Sequence, residues 1–423
     1  MRISHDLKVY ETVGAFIKAL PEAKSIYSRK KHIRYINITA AFDIETTNTP
    51  DDGFVYSYAF NIGGINIVLR YIEDVYVLFD ALQVKYRLSK ANRLVIYVHN
   101  LGYEHMYTTQ LLSAEYERVS ILLTAARKPL TVCYGNGIEL RDSFKLFQKS
   151  LANATKGLPH EKLVGDLDYS IYRTPDTFLN QSEFNYIVND VQGLFEAVER
   201  LKNEHSYNAA AIPISNTAIV IEAVNKFCNK DRLCMRAMRK LDLNKRQLKL
   251  AYKTMAGGDT HGARWCAGKT LVNCNSNDFK SAHPSQQLLR KFPSGIPIDL
   301  PDETEEADLK RLIDYEYGWI GLIYIKAPVI KADCPDPTIS YSKCMTCDEF
   351  ELDNGRVLYA DDMLVYMDSN DYQRFIMAYD YEFLCMVEGF AFKLDYLPKA
   401  YRKAILYYFN LKENASGQER VFG

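Results

Sequence analysis

Nothing in this sequence serves a membrane or an export pathway. The first twenty residues, MRISHDLKVYETVGAFIKAL, lack the uncharged apolar core of a signal peptide. No run approaches the roughly 20 apolar residues that a bilayer span needs. An excess of one charge is missing too: 52 Lys and Arg stand against 53 Asp and Glu, a formal net charge of -1. That excludes a disordered polyelectrolyte and a globally basic nucleic-acid coat. It leaves open a local basic surface whose charge is cancelled by clustered carboxylates. Internal repeats and low-complexity segments are absent, which excludes solenoids and propellers. The 9 cysteines are odd in number and irregularly spaced, so they form no disulfide framework, and a reducing cytoplasm is the expected compartment. Cys344-x-x-Cys347 has no second ligand pair for zinc and reads as two unconnected thiols.

What is present is ample core material. Of 423 residues, 48% are apolar and 13% aromatic, with 31 tyrosines available for packing or for stacking on bases. That length suggests two to four domains. INITAAFDIETT (36–47) predicts a buried strand, VYSYAFNIGGINIVLRY (55–71) a hairpin turning at Gly63-Gly64, and TVCYGNGIELRDS (131–143) a second hairpin at Asn136-Gly137. A helical stretch near 77–90 and the strand RLVIYVHN lie between them. FNYIVNDVQGLFEAVERLKNE (184–204) has helical periodicity, with Ser182 and Glu183 near its start. Strands first and a helix last predict one α/β unit over 36–205. Further on, a strand is predicted over KTLVNCNSNDFKSAHPSQ, an exposed acidic loop over 299–308, and strands over 317–328 and 355–367. A helix begins in YLPKAYRKAILYY.

Asp43 and Glu45, two apart on a strand, leave the same face, and paired carboxylates repel unless a proton or cation sits between them. Alone, the pair fits a water-exposed strand end as well as a metal site. Glu104 lies just past the strand RLVIYVHN, and Asp190 lies on the late helix with Tyr186 one turn earlier. Four carboxylates on strand ends and a helix suit two Mg²⁺ or Mn²⁺ ions, which take oxygen ligands. Such a pair activates water and stabilises the leaving oxygen of a phosphodiester, and Tyr186 could orient the water or donate to the phosphate. From Lys226 to Lys253 there are ten Lys or Arg and two Asp, which fits a solvated helix face or a phosphate-facing surface.

AAFDIETT, YVHNLGYEHMYT and YIVND, in this order, resemble the three exonuclease motifs of family B DNA polymerases, most closely the protein-primed phage subgroup. RDSFKLFQKSLANATK (141–156) and GDLDYS (165–170) resemble its connecting region. The resemblance implies a ribonuclease-H-like 3′–5′ proofreading domain. In it, Asp43, Glu45, Glu104 and Asp190 would be metal ligands, Tyr186 would position water, and Asn100 and Leu101 would contact the single-stranded primer end. Two positions depart from the subgroup. Glu104 stands where it has Asp, and Val164 stands where it has a catalytic lysine, with Lys162 two residues earlier. Either the loop is re-registered or that helper is absent.

NDFKSAHPSQQL resembles the first palm motif. Asp278 would hold metal there, and Phe279, Lys280, Ser281, Ala282 and His283 would cradle the incoming nucleotide, His283 replacing a sugar-stacking Tyr. Gly257, Gly258, Thr260 and His261 resemble a template-contacting Tyr-x-Gly-Gly element, with Met255 at its first position. The segment around GRVLYADDMLVYMDSNDYQRFIMAY resembles a terminal-protein region. The later palm motifs, including the second catalytic carboxylate, and the thumb do not follow. The expected organisation is α/β: an N-terminal extension (1–35), a ribonuclease-H-like 3′–5′ exonuclease domain (36–205), and a linker with the start of an incomplete polymerase palm (206–298). A terminal-protein-region-like insertion (299–395) and a truncated palm segment (396–423) complete it. The resemblance implies a DNA polymerase with proofreading by two-metal hydrolysis, not competent to polymerise alone. Its partners would be single-stranded and primer-template DNA, a terminal priming protein and a separately encoded carboxy-terminal fragment. A stand-alone 3′–5′ exonuclease and a non-catalytic DNA- or terminal-protein-binding subunit are the alternatives.

Overall fold

The computed structural model describes residues 7–28, 32–48, 53–163, 167–168, 170–255, 262, 266–275, 277–279, 281–334 and 336–414. The chain divides into two compact units, Met1–Glu222 and Ala223–Gly423.

The first unit is built on a 10-stranded mixed sheet. Its strands are β1 (Val9–Tyr10), β2 (Ser25–Tyr27), β3 (Arg34–Ile36), β4 (Ala40–Asn48), β5 (Gly53–Ile62), β6 (Ile65–Leu69), β7 (Asn92–Val98), β8 (Arg118–Ala125), β9 (Lys128–Tyr134) and β10 (Ile138–Asp142). The spatial order is β1-β6-β5-β4-β7-β10-β9-β8, with β3 beside β7 and β2 beside β3. β4, β7 and β10 run parallel at its centre, while β5–β6 and β8–β9 are antiparallel arms. The first arm closes where expected. Gly63 and Gly64 both take positive φ, which side chains resist and glycine does not, so Ile62 pairs directly with Ile65.

Its helices are α1 (Val13–Ala19), α2 (Ile72–Tyr86), α3 (Leu101–Glu115), α4 (Phe144–Phe147), α5 (Leu151–Thr155) and α6 (Gln181–His205), and α7 (Asn216–Cys228) crosses the division. The periodic segment around 184–204 is α6. Its N-cap is Asn180, whose side chain and that of Glu183 cap each other's backbone N–H groups. Alternation along β4 sets two faces. Phe42 and Ile44 enter the large core with Phe60 and with Leu78 and Phe79 of α2, where Phe42 stacks on Phe60 at 4.5 Å. Ala41 faces the other way and packs with Leu194 and Val198 of α6. Asp43 and Glu45 share the Ala41 face.

The second unit holds α8 (Arg232–Arg239), α9 (Lys245–Thr254), α10 (Ala282–Leu289), α11 (Glu306–Asp314), α12 (Ser369–Ala378) and α13 (Lys399–Asn414). Its 7-stranded antiparallel sheet comprises β11 (Lys291–Asp299), β12 (Tyr317–Ile330), β13 (Cys344–Asp348), β14 (Glu351–Asp353), β15 (Arg356–Tyr359), β16 (Asp362–Asp368) and β17 (Tyr379–Tyr396). Strands predicted over 317–328 and 355–367 form as β12, β15 and β16, around buried Trp319, Ile323, Met363 and Val365. The acidic segment is a loop only to Glu305; Glu306 starts α11 and accepts hydrogen bonds from the Tyr372 and Tyr381 hydroxyls at 2.6 Å.

One expected strand does not form. Among the described residues from Lys269 to Phe279 there is no strand, and Val272 and Phe279 are 79% and 84% exposed. A strand is stabilised by a neighbour, and among the described residues no strand of either sheet pairs with this segment.

Candidate nuclease metal centre

β4 presents Asp43 and Glu45 toward α6, and α6 presents Tyr186 and Asp190 one turn apart, both buried. Carboxylate oxygens of Asp43, Glu45 and Asp190 lie within 4.8 Å of one another. Glu104, buried on α3, is hydrogen-bonded to Asp43, a contact two carboxyl groups make when one of them is protonated. Lys162 comes from the segment before α6 and pairs its ammonium with Asp190, 5.1 Å from the centre of the Tyr186 ring.

Four acids and one ammonium in a water-poor space cannot all stay ionised. Burial, then the charge of Asp190, pushes Asp43 up to about 7. Burial, then Asp43 and Asp190, pushes Glu45 up to about 9. Glu104 is held well above the usual carboxylate range by burial and then by Asp43. Burial also raises Asp190, against the pull of Lys162. Among the described residues, Asp190 Oδ1 and Glu104 Oε2 are buried acceptors without a hydrogen-bond donor. Orphaned acceptors, an all-oxygen donor set and mutual repulsion are what a hard divalent cation relieves. The residues therefore fit Mg²⁺ or Mn²⁺, with Asp43, Glu45 and Asp190 as the common donor set.

The turn from β7 into α3 is organised by Asp142. β10 runs parallel to β7 with Asp142 opposite Val98, so its carboxylate sits beside the residues that follow β7. Its Oδ1 accepts the backbone N–H groups of Asn100 at 3.0 Å, Leu101 at 3.3 Å and Phe144 at 3.1 Å. One carboxylate thereby caps both α3 and α4, supplying acceptors to helix-start donors that lack intrahelical partners. Asn100 takes the left-handed conformation with φ 72° and stays exposed. Leu101 does not: its side chain is 0% exposed within the core, because capping by Asp142 turns the start of α3 inward. His99 meets Ser143 Oγ at 3.0 Å, and burial, then Lys162, pushes its pKa down to about 4, so the ring is neutral near pH 7.

Arg173 joins the two carboxylate-bearing elements. Its guanidinium, buried, donates to Glu183 of α6, and its backbone exchanges hydrogen bonds with Thr47 of β4. Asp142 and Arg173 were absent from the sequence expectations, although an Asp-Ser pair closing a buried strand is a legible capping signal. Among the described residues, Lys162 brings an ammonium to Asp190; Val164 lies outside them.

In the second unit, Asp278, Phe279 and His283 are exposed, and Ser281 takes the left-handed conformation before Ala282 opens α10. Asp278 belongs to no three-donor metal group among the described residues. Lys280, Gly257, Gly258, Thr260 and His261 lie outside the described residues. The basic stretch forms α8 and α9. On α9, Lys245, Lys249 and Lys253 make an exposed row beside Tyr252, with Leu250 and Thr254 buried opposite. No helix among the described residues is long and apolar enough to cross a membrane.

Fold and site define an α/β chain with a cluster of carboxylates able to hold a divalent cation. No protein-family model matches the chain, and no curated protein matches it. Solved structures of Phi29 DNA polymerase are among those it is similar to. Against that polymerase complexed with primer-template DNA (the post-translocation binary complex) the TM-score is 0.72 at 16% identity, covering 91% of this chain and 65% of that one. Against the polymerase complexed with single-stranded DNA it is 0.68 at 15% identity, with the same coverage. The orthorhombic crystal form gives 0.68 at 16% identity, covering 91% and 66%. At this identity the likeness shows the fold. The chain spans about two-thirds of the length of the polymerase chains it matches, just under that share in each.

Proposed function

We propose that this chain is the exonuclease-bearing part of a protein-primed, family B type DNA polymerase. Its first unit would remove nucleotides from the 3′ end of single-stranded DNA. The observation that carries the reading is the buried Asp43–Glu45–Asp190 group, with Lys162 and Tyr186 beside it, on a ribonuclease-H-like sheet. Two Mg²⁺ or Mn²⁺ ions bound there would supply the Lewis acidity for in-line displacement at a phosphodiester. Water adds to phosphorus and the O3′ of the preceding nucleotide leaves, releasing a 5′-mononucleotide. Asp43, Glu45 and Asp190 would hold the ions, with Glu104 beside Asp43. Lys162 orients Asp190, and its ammonium would offer a charge to a phosphate oxygen. Tyr186 positions the attacking water. Asn100, exposed at the head of α3, contacts the strand end.

DNA is the partner that the row Lys245, Lys249, Lys253 with exposed Tyr252 suits, by phosphate contact and stacking. Nucleotide binding at Asp278, Phe279, Lys280, Ser281, Ala282 and His283, template contact at Gly257, Gly258, Thr260 and His261, and docking of a priming protein on 299–395 extend the same proposal, as do its domain boundaries and a bacterial cytoplasmic site of action. The test is product analysis on a 5′-labelled single strand with Mg²⁺. Stepwise shortening with release of 5′-mononucleotides supports the reading. Internal cuts, or no digestion with either Mg²⁺ or Mn²⁺, would refute it.

A further inference from the structure

α6 carries a second functional row besides Tyr186 and Asp190. Asn189, Gly193, Glu196 and Arg200 are spaced by four, three and four residues, so they line one stripe of the helix. The segment 154–161 lies along it. Arg200 donates to the carbonyls of Ala154 at 2.7 Å and Lys156 at 3.3 Å. Glu196 accepts from the His160 backbone N–H at 3.2 Å and also pairs with the His160 ring. Asn189 donates to the Glu161 carbonyl at 2.7 Å. Between these contacts Gly193 leaves a gap, and the His160 carbonyl fills it. A Cβ on Gly193 would stand 2.6 Å from that oxygen, closer than such atoms come, and the obstacle is backbone rather than a flexible side chain. The next residue after this docked stretch is Lys162. Its backbone N–H donates to Thr155 Oγ1 at 2.9 Å, and its ammonium meets Asp190.

Helix glycine is unfavourable by about 1 kcal/mol relative to alanine, so Gly193 in the middle of a buried helix calls for a reason. Close docking of the His160 carbonyl supplies one. The contacts also explain how a lysine placed two residues early can serve the site: the segment is fixed along α6 at three levels before Lys162 is reached.

We propose that the Asn189–Gly193–Glu196–Arg200 stripe is a clamp that seats His160 and thereby sets Lys162 against Asp190. Its members are positioning residues. The kinetic arm of the test rests on the nuclease reading, and the chemical arm does not.

The test uses the full chain with Gly193→Ala, His160→Ala and His160→Gln variants. In metal-free protein, competitive acetylation followed by mass spectrometry compares Lys162 with exposed Lys253. In the wild type, Lys162 should react about tenfold more slowly, because a charge-assisted bond holds its ammonium. Gly193→Ala and His160→Ala should remove most of that protection without altering Lys253, and His160→Gln, which keeps a hydrogen-bonding side chain, should restore part of it. In Mg²⁺, Gly193→Ala should lower kcat on single-stranded DNA about tenfold with KM unchanged, and should add nothing to a Lys162→Ala background. Should Gly193→Ala fail to fold, the His160 pair carries the test. Unchanged Lys162 protection in the folded variants would overturn the clamp. Digestion by none of the proteins, including the wild type, would sink the nuclease reading, and the acetylation result would still decide the clamp.

Discussion

The ammonium of Lys162 meets the carboxylate of Asp190, although Lys162 stands two residues ahead of the position where the polymerase resemblance places a lysine. The contact gives the centre a cation and places the Lys162 ammonium 5.1 Å from the centre of the Tyr186 ring. Lys162→Met should therefore lower kcat by about 10²-fold, the size of a lost preorganised electrostatic contact, with little change in KM. Lys162→Arg should recover part of the rate, since the charge returns in a different shape. Single-turnover release of 5′-mononucleotides measures both.

Glu104 is hydrogen-bonded to Asp43 inside the carboxylate cluster. Glu104→Gln keeps the volume but cannot ionise to meet a cation. It should cost about 10²-fold in rate while leaving single-strand binding intact, because binding draws on surface charge and stacking. Fluorescence anisotropy beside the digestion assay separates the two. A Gln variant with full turnover would make Glu104 a bystander.

The raised pKa values fix the sign of a pH effect. Asp43 and Glu45 bind protons more tightly in the folded chain, up to about 7 and about 9, than in the unfolded chain. Stability from these groups is then fully present below the ordinary carboxylate range and is lost as pH rises through the folded values. Metal-free protein should melt at a falling temperature between pH 5 and 9, on the scale set by those values. Mg²⁺, which binds the ionised forms, should stabilise more at the upper end and flatten the curve. Calorimetric scans with and without Mg²⁺ test this; a flat metal-free curve contradicts it.

Asp142 caps two helix starts with one carboxylate oxygen. Asp142→Ala leaves those N–H groups without an acceptor and should destabilise the first unit by about 1–3 kcal/mol. Urea unfolding followed by far-UV dichroism measures it.

Much of the first unit was legible because its signals are local. Alternation put Asp43 and Glu45 on one face, the Gly-Gly pair marked the β5–β6 turn, and a 3.6-residue period marked α6 with Asp190 one turn past Tyr186. What escaped depends on distant partners. The burial of Leu101 follows from Asp142, 41 residues away. Lys162 reaches the centre because α6 offers Gly193 and Glu196 to the segment before it, a docking that no spacing announces. Asp278 sits in an apolar-polar pattern that resembles a strand, but no neighbour pairs with it, and the segment stays exposed.

The central claim is that Asp43, Glu45 and Asp190 together form a nuclease metal centre. Its most direct test is single-turnover digestion of a 5′-labelled single strand with Mg²⁺ by the wild type and by an Asp43→Ala, Asp190→Ala double variant. With two donors of the set removed, the rate should fall by at least about 10³-fold while the variant stays folded. Digestion at the wild-type rate by the double variant would contradict the assignment.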